Sequence, residues 1–262
     1  MTTGRIHHQI LPAGIANVFI DNPAKKNAMS FEMWTQLLDT IEQLSANNAA
    51  KVIVIQGEGG EAFCSGADIT QFSEVRTEAN SAQFDELTRL TTVQLSKSPK
   101  PTVAAIRGYC LGGGLNLALS CDIRIADSTA RFALPPARLG IAYPGYALSN
   151  LVSAVGEQAA KYLLYTARRI TAADALEFGL LARVIEADSF ESELISLAND
   201  IAVNAPLSIR ATKIGIASIR ASDGTTEEPA FMELVEKCYS SEDYREGTAA
   251  FKEKRAPIFK GS

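Results

Sequence analysis

The sequence predicts an α/β fold, and three observations carry that expectation. Apolar strand-like runs alternate with segments of helical spacing along most of the chain, the pattern of a sheet covered by helices. Two runs, Lys51-Val-Ile-Val-Ile-Gln56 and Thr102-Val-Ala-Ala-Ile106, are almost continuously apolar, as strands buried on both faces are. Each is followed by a loop of small residues and then a helical stretch. The unit from Val52 to Ile69 therefore returns between Val103 and Leu119 as a weak internal repeat of strand-strand-helix type.

The elements follow in order. Ile15–Ile20 reads as a strand, and Asp21-Asn22-Pro23 turns the chain. Ser30 caps a helix that carries Phe31, Trp34, Leu37, Leu38, Ile41 and Leu44 at helical spacing, with Glu32 in its first turn. After the Lys51–Gln56 strand, Gly57–Gly60 break the run. Thr70–Ser81 is polar and weakly periodic, a loop with short helical pieces. A helix through Phe84, Leu87, Leu90, Val93 and Leu95 ends at Ser98-Pro99-Lys-Pro101. Gly112–Ser120 is a small-residue helix, while Ile123–Ile125 and Arg131–Ala133 are short strands. Thr171 caps Ala172–Phe178, Gly179 stops it, and Leu181–Ile185 is a last strand. Helices are expected over Phe190–Ile201, Ser208–Ile219, Phe231–Tyr239 and Ser241–Lys254, with apolar faces that need a surface to cover them.

Composition narrows the function. An apolar fraction of 47% over 262 residues builds a core without disulfides or metals. The net charge of −5 argues against nucleic acid but not against a local anion site. Cys64, Cys110, Cys121 and Cys238 form no metal-ligand or C-x-x-C spacing and read as buried reduced thiols. The two histidines, His7 and His8, lie at the N-terminus on a solvated strand edge or terminal arm, so a Ser-His or Cys-His system is not expected. No secretory signal is visible, and no apolar run approaches the ~18 residues of a membrane span. A cytoplasmic protein with no membrane and no metal is the expectation.

The chemistry concentrates in Cys110-Leu-Gly-Gly-Gly-Leu-Asn116 and in Gly66-Ala-Asp-Ile69 about 45 residues earlier. Backbone N–H groups from two such loops, converging on one point, can hold a developing oxyanion. A dinucleotide fingerprint fits poorly, because the G-x-G-x-x-G spacing and its downstream acid are missing. A tight turn with close packing explains a lone triple glycine equally well. The pairing with Ser65–Ile69 at the same place in the preceding repeat is what favours a site.

These residues resemble the crotonase (enoyl-CoA hydratase/isomerase) superfamily, nearly end to end. The resemblance runs through Asn22-Pro-Ala-Lys-Lys-Asn-Ala-Met29, Ala62-Phe-Cys-Ser-Gly-Ala-Asp-Ile69 and Lys100-Pro-Thr-Val-Ala-Ala-Ile-Arg-Gly108. It continues through Leu111–Ala118, Cys121-Asp-Ile-Arg-Ile-Ala126 and Asp243-Tyr-Arg-Glu-Gly-Thr-Ala-Ala-Phe251-Lys-Glu-Lys-Arg255. It implies a spiral of ββα units over residues 1–200 that binds acyl-CoA, and a C-terminal helical trimerisation region over 201–262. A homotrimer or dimer of trimers follows, with a coenzyme A thioester as substrate and no prosthetic group. The oxyanion donors map to the N–H groups of Ala67 and Gly113. CoA contacts map to Lys25, Lys26, Ala28, Ala67, Asp68 and Ile69, with Phe251 and Lys254 reaching a neighbouring subunit's CoA. Local lysines suit an anionic ligand on an acidic chain.

The pattern departs where hydratases of the family carry two glutamates. Asn116 stands at the first position and Pro136 at the second, and neither side chain is a proton acceptor. Tyr143 resembles the tyrosine of methylmalonyl-CoA decarboxylase-like members; an aromatic wall for the acyl group is its plainer role. Asn116 would orient water or a carbonyl, Arg138 would pair with a substrate carboxylate or lie in a surface ion pair, and Asp68 would cap the helix after its loop. The expected function is acyl-CoA thioester processing by enolate stabilisation, in the first place as a hydratase/isomerase-family lyase whose acid and base groups are substituted, with a reaction open to divergence from hydration. The alternatives are decarboxylation, thioester hydrolysis, or non-catalytic acyl-CoA binding.

Overall fold

A computed structural model of the chain describes residues 4–68, 78–221 and 229–262. Strands β1 (Arg5–Ile10), β2 (Ile15–Asp21), β3 (Val52–Gly57), β5 (Thr102–Ile106), β7 (Ile123–Asp127) and β10 (Arg183–Ile185) form a six-stranded sheet in the order β1-β2-β3-β5-β7-β10. Only its β1–β2 edge is antiparallel. A second sheet holds β4 (Ala62–Cys64), β6 (Tyr109–Leu111), β8 (Arg131–Ala133) and β9 (Ile170–Thr171) in that order. Each strand pair β3–β4, β5–β6 and β7–β8 places its first member in the large sheet and its second in the small one. Successive turns of the chain thus add one strand to each sheet, which is a ββα spiral.

Strand periodicity sorts the apolar side chains into two layers. Ile53, Ile55, Ala104 and Ile106 face one core with Met33, Trp34, Leu37, Ile41 and Leu44 of helix α1 (Phe31–Ala46). The alternate residues Val52, Val54, Val103, Ala105 and Ile125 face the other core, closed by Phe190, Leu194 and Ala198. Both faces of β3 and β5 are covered, which is why those strands read as continuous apolar runs. The Ser30 hydroxyl caps α1 by accepting the Met33 N–H at 3.2 Å, and Thr171 with Asp174 closes a capping box.

Three features differ from expectation. The helix expected around Phe84 begins within the stretch read as a loop: α2 spans Glu78–Lys97. Its first turn is polar, so hydrophobic period alone did not mark its start. The rest of that loop, residues 69–77, lies outside the described residues. More substantially, α5 (Gly145–Thr166) occupies a segment for which the sequence suggested no element. Its buried residues Ala147, Leu151, Ala160 and Leu163 fall on two separate stripes, because Gly156 leaves helical geometry with φ 73° and ψ 169°. That break scrambles the 3.6-residue period. Finally, β1 adds a strand ahead of Ile15, and it carries His7 and His8 at the sheet edge as expected, the His7 ring stacking on Phe19 at 4.8 Å.

Two short helices flank the centre, α3 (Gly113–Leu119) and α4 (Pro136–Leu139), and α6 (Ala172–Glu177) follows β9. The remaining helices are α7 (Phe190–Ala202), α8 (Pro206–Ala221), α9 (Pro229–Ser240) and α10 (Glu242–Glu253). Lys213 pins α8 to the spiral: its Nζ meets Asp122 at 2.9 Å and the Lys100 carbonyl at 3.1 Å. Asp122 also accepts the Thr102 N–H at 2.8 Å, so one carboxylate joins helix and sheet. Between α8, α9 and α10 lies a groove of about 930 Å³, lined by Ile216, Phe231, Tyr239, Tyr244, Phe251 and Phe259 among others. Among the described residues no helix is long and apolar enough to cross a membrane.

All four cysteines are free thiols. Burial pushes Cys64 and Cys121 up to about 12 and Cys110 well above its ordinary value. The unfolded chain therefore loses these protons first, and stability falls as pH rises above about 9. Two outcomes are expected. The urea midpoint declines steadily from pH 8 to pH 10, and a thiol reagent at pH 8 labels the half-buried Cys238 while sparing the other three until the chain unfolds.

Candidate active site

The parallel pairing of β4 with β6, Cys64 opposite Cys110, sets the loops that follow them side by side. Gly66 turns the first loop with φ +107°, and a Cβ there would stand 3.2 Å from the Leu111 carbonyl and 3.4 Å from the Gly113 nitrogen. Only glycine accepts that conformation and that approach without strain. In the second loop a Cβ on Gly114 would overlap the Cys64 carbonyl oxygen. The contact between the loops is thus backbone against backbone. A Cβ on Gly113 would lie 3.8 Å from the Ala67 nitrogen, so the two amide groups are close neighbours.

Both amides are unspent. Met29 donates its N–H to the Gly66 carbonyl at 2.8 Å and accepts the Asp68 N–H at 3.0 Å, which leaves the Ala67 N–H between them unused. Gly113 is the first residue of α3, where N–H groups lack intrahelical partners. Among the described residues neither N–H meets a protein acceptor. Gly112 is held from behind by the Ala133 carbonyl at 2.9 Å. The arrangement offers two adjacent donors to an oxygen from outside the chain.

Asn116 sits one turn into α3, its N–H bonded to the Gly112 carbonyl at 3.0 Å and its side-chain Oδ1 buried without a partner. Pro136 opens α4, a position its fixed φ suits, and supplies no donor or titratable group. Tyr143 packs on the core, and its hydroxyl is likewise buried and unpartnered. Burial, then Tyr146 and Cys110, push its phenol above the ordinary value. It keeps its proton at neutral pH. Arg138 is exposed.

The Lys25-Lys26-Asn27-Ala28 turn lies against the Ser65–Asp68 loop. Lys25 Nζ reaches Asp68 at 2.6 Å, and the Ser65 N–H bonds the Lys26 carbonyl at 3.1 Å. Asp68, expected to cap a following helix, is buried and ion-paired here; Ile69 and the residues after it lie outside the described residues. Lys26 pairs with Glu61 at 3.0 Å and stands 4.6 Å above the Tyr109 ring. Ala28 is buried beneath the turn. Phe251 and Lys254 are not gathered at this site. Phe251 projects from α10, 86% exposed, and Lys254 caps that helix. Among the described residues no cluster of three or more His, Cys, Asp or Glu could hold a metal.

Two residues that sequence reading did not single out emerge. Asn27, fully buried at φ 55°, accepts the Asn22 N–H at 2.9 Å and donates to the Glu58 and Ala62 carbonyls at 3.0 and 2.6 Å. Its place in a Lys-Lys-Asn turn is the one available signal, since Asn tolerates left-handed backbone. Trp34, read only as core, puts its ring 3.9 Å from the Cβ position of Gly113. Asn27→Ala unpairs three backbone groups and is expected to cost roughly 2–4 kcal/mol, measured as a lowered urea midpoint with unchanged slope.

The Enoyl-CoA hydratase/isomerase family model matches residues 11–262. The chain is 34% identical over 242 residues to the short-chain-enoyl-CoA hydratase of Clostridium acetobutylicum, covering 92% of each. It is 32% identical over 256 residues to the mitochondrial methylglutaconyl-CoA hydratase of Mus musculus, covering 95% of this chain and 80% of that one. Its structure superposes on an enoyl-CoA hydratase/carnithine racemase from Magnetospirillum magneticum with TM-score 0.94 and 31% identity, covering 100% and 97% of the two chains. With the ββα spiral and the paired glycine loops in place, the match over nearly the whole chain makes this protein a member of the enoyl-CoA hydratase/isomerase family, within the crotonase superfamily.

Proposed function

We propose that this acyl-CoA-processing protein stabilises a thioester enolate with the N–H groups of Ala67 and Gly113, and that its reaction has diverged from two-carboxylate hydration. The observation that carries the reading is the adjacency of those two unspent amides, 3.8 Å between the Ala67 nitrogen and the Gly113 Cβ position. Fixed dipoles aimed at a developing oxyanion, in a site walled by buried side chains, supply much of the stabilisation an enolate needs. The Lys25–Ala28 turn, tied to the same loop through Asp68, supports a CoA site formed by Lys25, Lys26, Ala28, Ala67, Asp68 and Ile69. The apolar groove between α8 and α10 supports a homotrimer or paired trimers, with residues 201–262 as the oligomerisation region and with Phe251 and Lys254 serving a neighbouring subunit's CoA.

Proton transfer is the part that differs. Asn116 and Pro136 offer no base. Tyr143 favours a second reading, decarboxylation. There the bond from the α carbon to a carboxylate breaks, its electron pair moves to the thioester oxygen held by the two amides, and carbon dioxide leaves. The retained Tyr143 proton, or water, then quenches the α carbon.

Thermal stabilisation by CoA thioesters, followed by turnover of crotonyl-CoA, methylmalonyl-CoA and saturated acyl-CoA, tests the reading. Stabilisation together with enolate-dependent turnover supports it; binding without turnover across the panel replaces it with a non-catalytic acyl-CoA-binding protein, and bulk hydrolysis replaces it with a thioesterase. Gly113→Pro removes one donor at a helix position that tolerates proline. Its ring Cδ also stands where the N–H pointed, so it is expected to lower kcat at least about 10²-fold and to weaken thioester binding as well. Restoring both carboxylates in an Asn116→Glu, Pro136→Glu double variant is expected to raise crotonyl-CoA hydration at least tenfold. An unchanged hydration rate would overturn the assignment of Asn116 and Pro136 to the two glutamate positions.

A further inference from the structure

The Ala67 N–H is aimed by a segment that arrives from much earlier in the chain. Met29 pairs with Ala67 as an isolated parallel bridge. In parallel pairing a residue bonds the two neighbours of the one opposite, whose own N–H and C=O point the other way. Met29 does so, donating to the Gly66 carbonyl at 2.8 Å and accepting the Asp68 N–H at 3.0 Å. The Ala67 amide is thereby turned away from Met29, and the Gly113 Cβ position stands 3.8 Å from its nitrogen. Ser65 adds two bonds to the same segment, its N–H to the Lys26 carbonyl at 3.1 Å and its hydroxyl to the Lys25 carbonyl at 3.3 Å. The loop is therefore gripped on both sides of Ala67.

The gripping segment does not hold its own shape. Lys26 and Asn27 are consecutive left-handed residues, at φ 53° and 55°, a conformation that persists in non-glycine residues only when the surroundings fix it. The Asn27 side chain fixes it. Its Oδ1 accepts the Asn22 N–H at 2.9 Å, and its Nδ2 donates to the Glu58 and Ala62 carbonyls at 3.0 and 2.6 Å. The corner between β3 and β4 is cleared to admit that amide: a Cβ on Gly57 would stand 2.7 Å from Asn27 Nδ2 and 2.0 Å from the Ala62 carbonyl oxygen. Ala62 opens β4, the strand that delivers the loop. The contacts close a ring, from Asn27 to Ala62, along β4 to Ser65–Asp68, across to Met29, and back along the chain to Asn27.

Glycine would hold the same backbone angle without strain, so φ alone does not call for asparagine here. What the position uses is the amide. We propose that Asn27 is a positioning residue for the oxyanion donor pair: its side chain sets the register of the segment that turns the Ala67 N–H toward its acceptor. A misplacement of about 1 Å in a group of this kind costs on the order of 10²-fold in rate.

This inference rests on the reading of Ala67 and Gly113 as donors to a thioester oxygen, and the experiment separates the two. The probe is 4-(dimethylamino)cinnamoyl-CoA, whose absorption band moves to the red when donors polarise its thioester carbonyl. Read at saturation, the size of the shift reports donor alignment independently of affinity. The wild-type protein is expected to shift the band. Asn27→Gly keeps the backbone angle and removes all three side-chain bonds. Asn27→Asp keeps the shape and the bond from Asn22 but loses both donations. Each variant is expected to lose about half of the shift or more. Thr171→Ala removes the α6 cap, outside the ring, and should keep the full shift while lowering stability. A full shift in either Asn27 variant, or an equal loss in Thr171→Ala, overturns the proposal and leaves the donor pair standing. An unshifted band in the wild type, or no binding, overturns the donor pair and this inference with it. If neither Asn27 variant folds, hydrogen exchange in the wild type decides. The amides of Asn22, Met29 and Asp68 are expected to open as one unit, with protection equal within about tenfold, and a wider gap overturns the proposal.

Discussion

The close approach of two backbones is the constraint on which the rest of this structure depends. Because β4 pairs with β6 in parallel, the loops after them emerge in the same direction and must pass each other. They can do so only where side chains are missing. A Cβ on Gly114 would overlap Cys64, and one on Gly66 would press on Leu111 and Gly113. The contact requires small residues at these positions, and it brings two otherwise unused amides together. Architecture and chemistry are here the same requirement: a spiral that adds one strand per turn to each sheet delivers equivalent loops, from equivalent positions, to one place.

Around that centre, polar groups are either committed to structure or left open. Asn27 spends its side chain on three backbone groups, Asp122 joins Lys213 to Thr102, and Asp68 takes Lys25. Such groups hold loops and helices in register. By contrast Trp34, Asn116 and Tyr143 end in buried atoms with no protein partner. The buried thiols, held protonated by desolvation, behave as apolar filling behind the loops.

Much of this was legible in the residues themselves. Continuous apolar runs at Val52–Ile55 and Val103–Ile106 announced strands covered on both sides, and Ser30 and Thr171 announced helix starts by their side-chain chemistry. The paired glycine loops pointed to the place where the candidate site lies. Less legible was α5, whose stripe is cut at Gly156, so no single helical period spans it. The polar first turn of α2 hid its start in the same way. In the candidate site, Ala67, Gly113 and Asn116 followed from loop pattern and resemblance, while Trp34 and Asn27 did not. Nothing in local spacing distinguishes a core tryptophan from one whose ring edge meets a loop of a later repeat.

The sequence by itself determined the class of fold, the order of its units, the absence of a metal-ligand or C-x-x-C spacing among the cysteines and the absence of a titratable side chain at Asn116 and Pro136. These are properties of residue type and short-range pattern, and they persist whatever the chain folds against. Tertiary structure alone decided that the Ala67 and Gly113 amides are neighbours, that Asp68 is paired with Lys25, and that three buried polar atoms among the described residues remain unpaired. Those facts depend on contacts between residues far apart in sequence. Only the packed spiral sets the distances across which such groups meet.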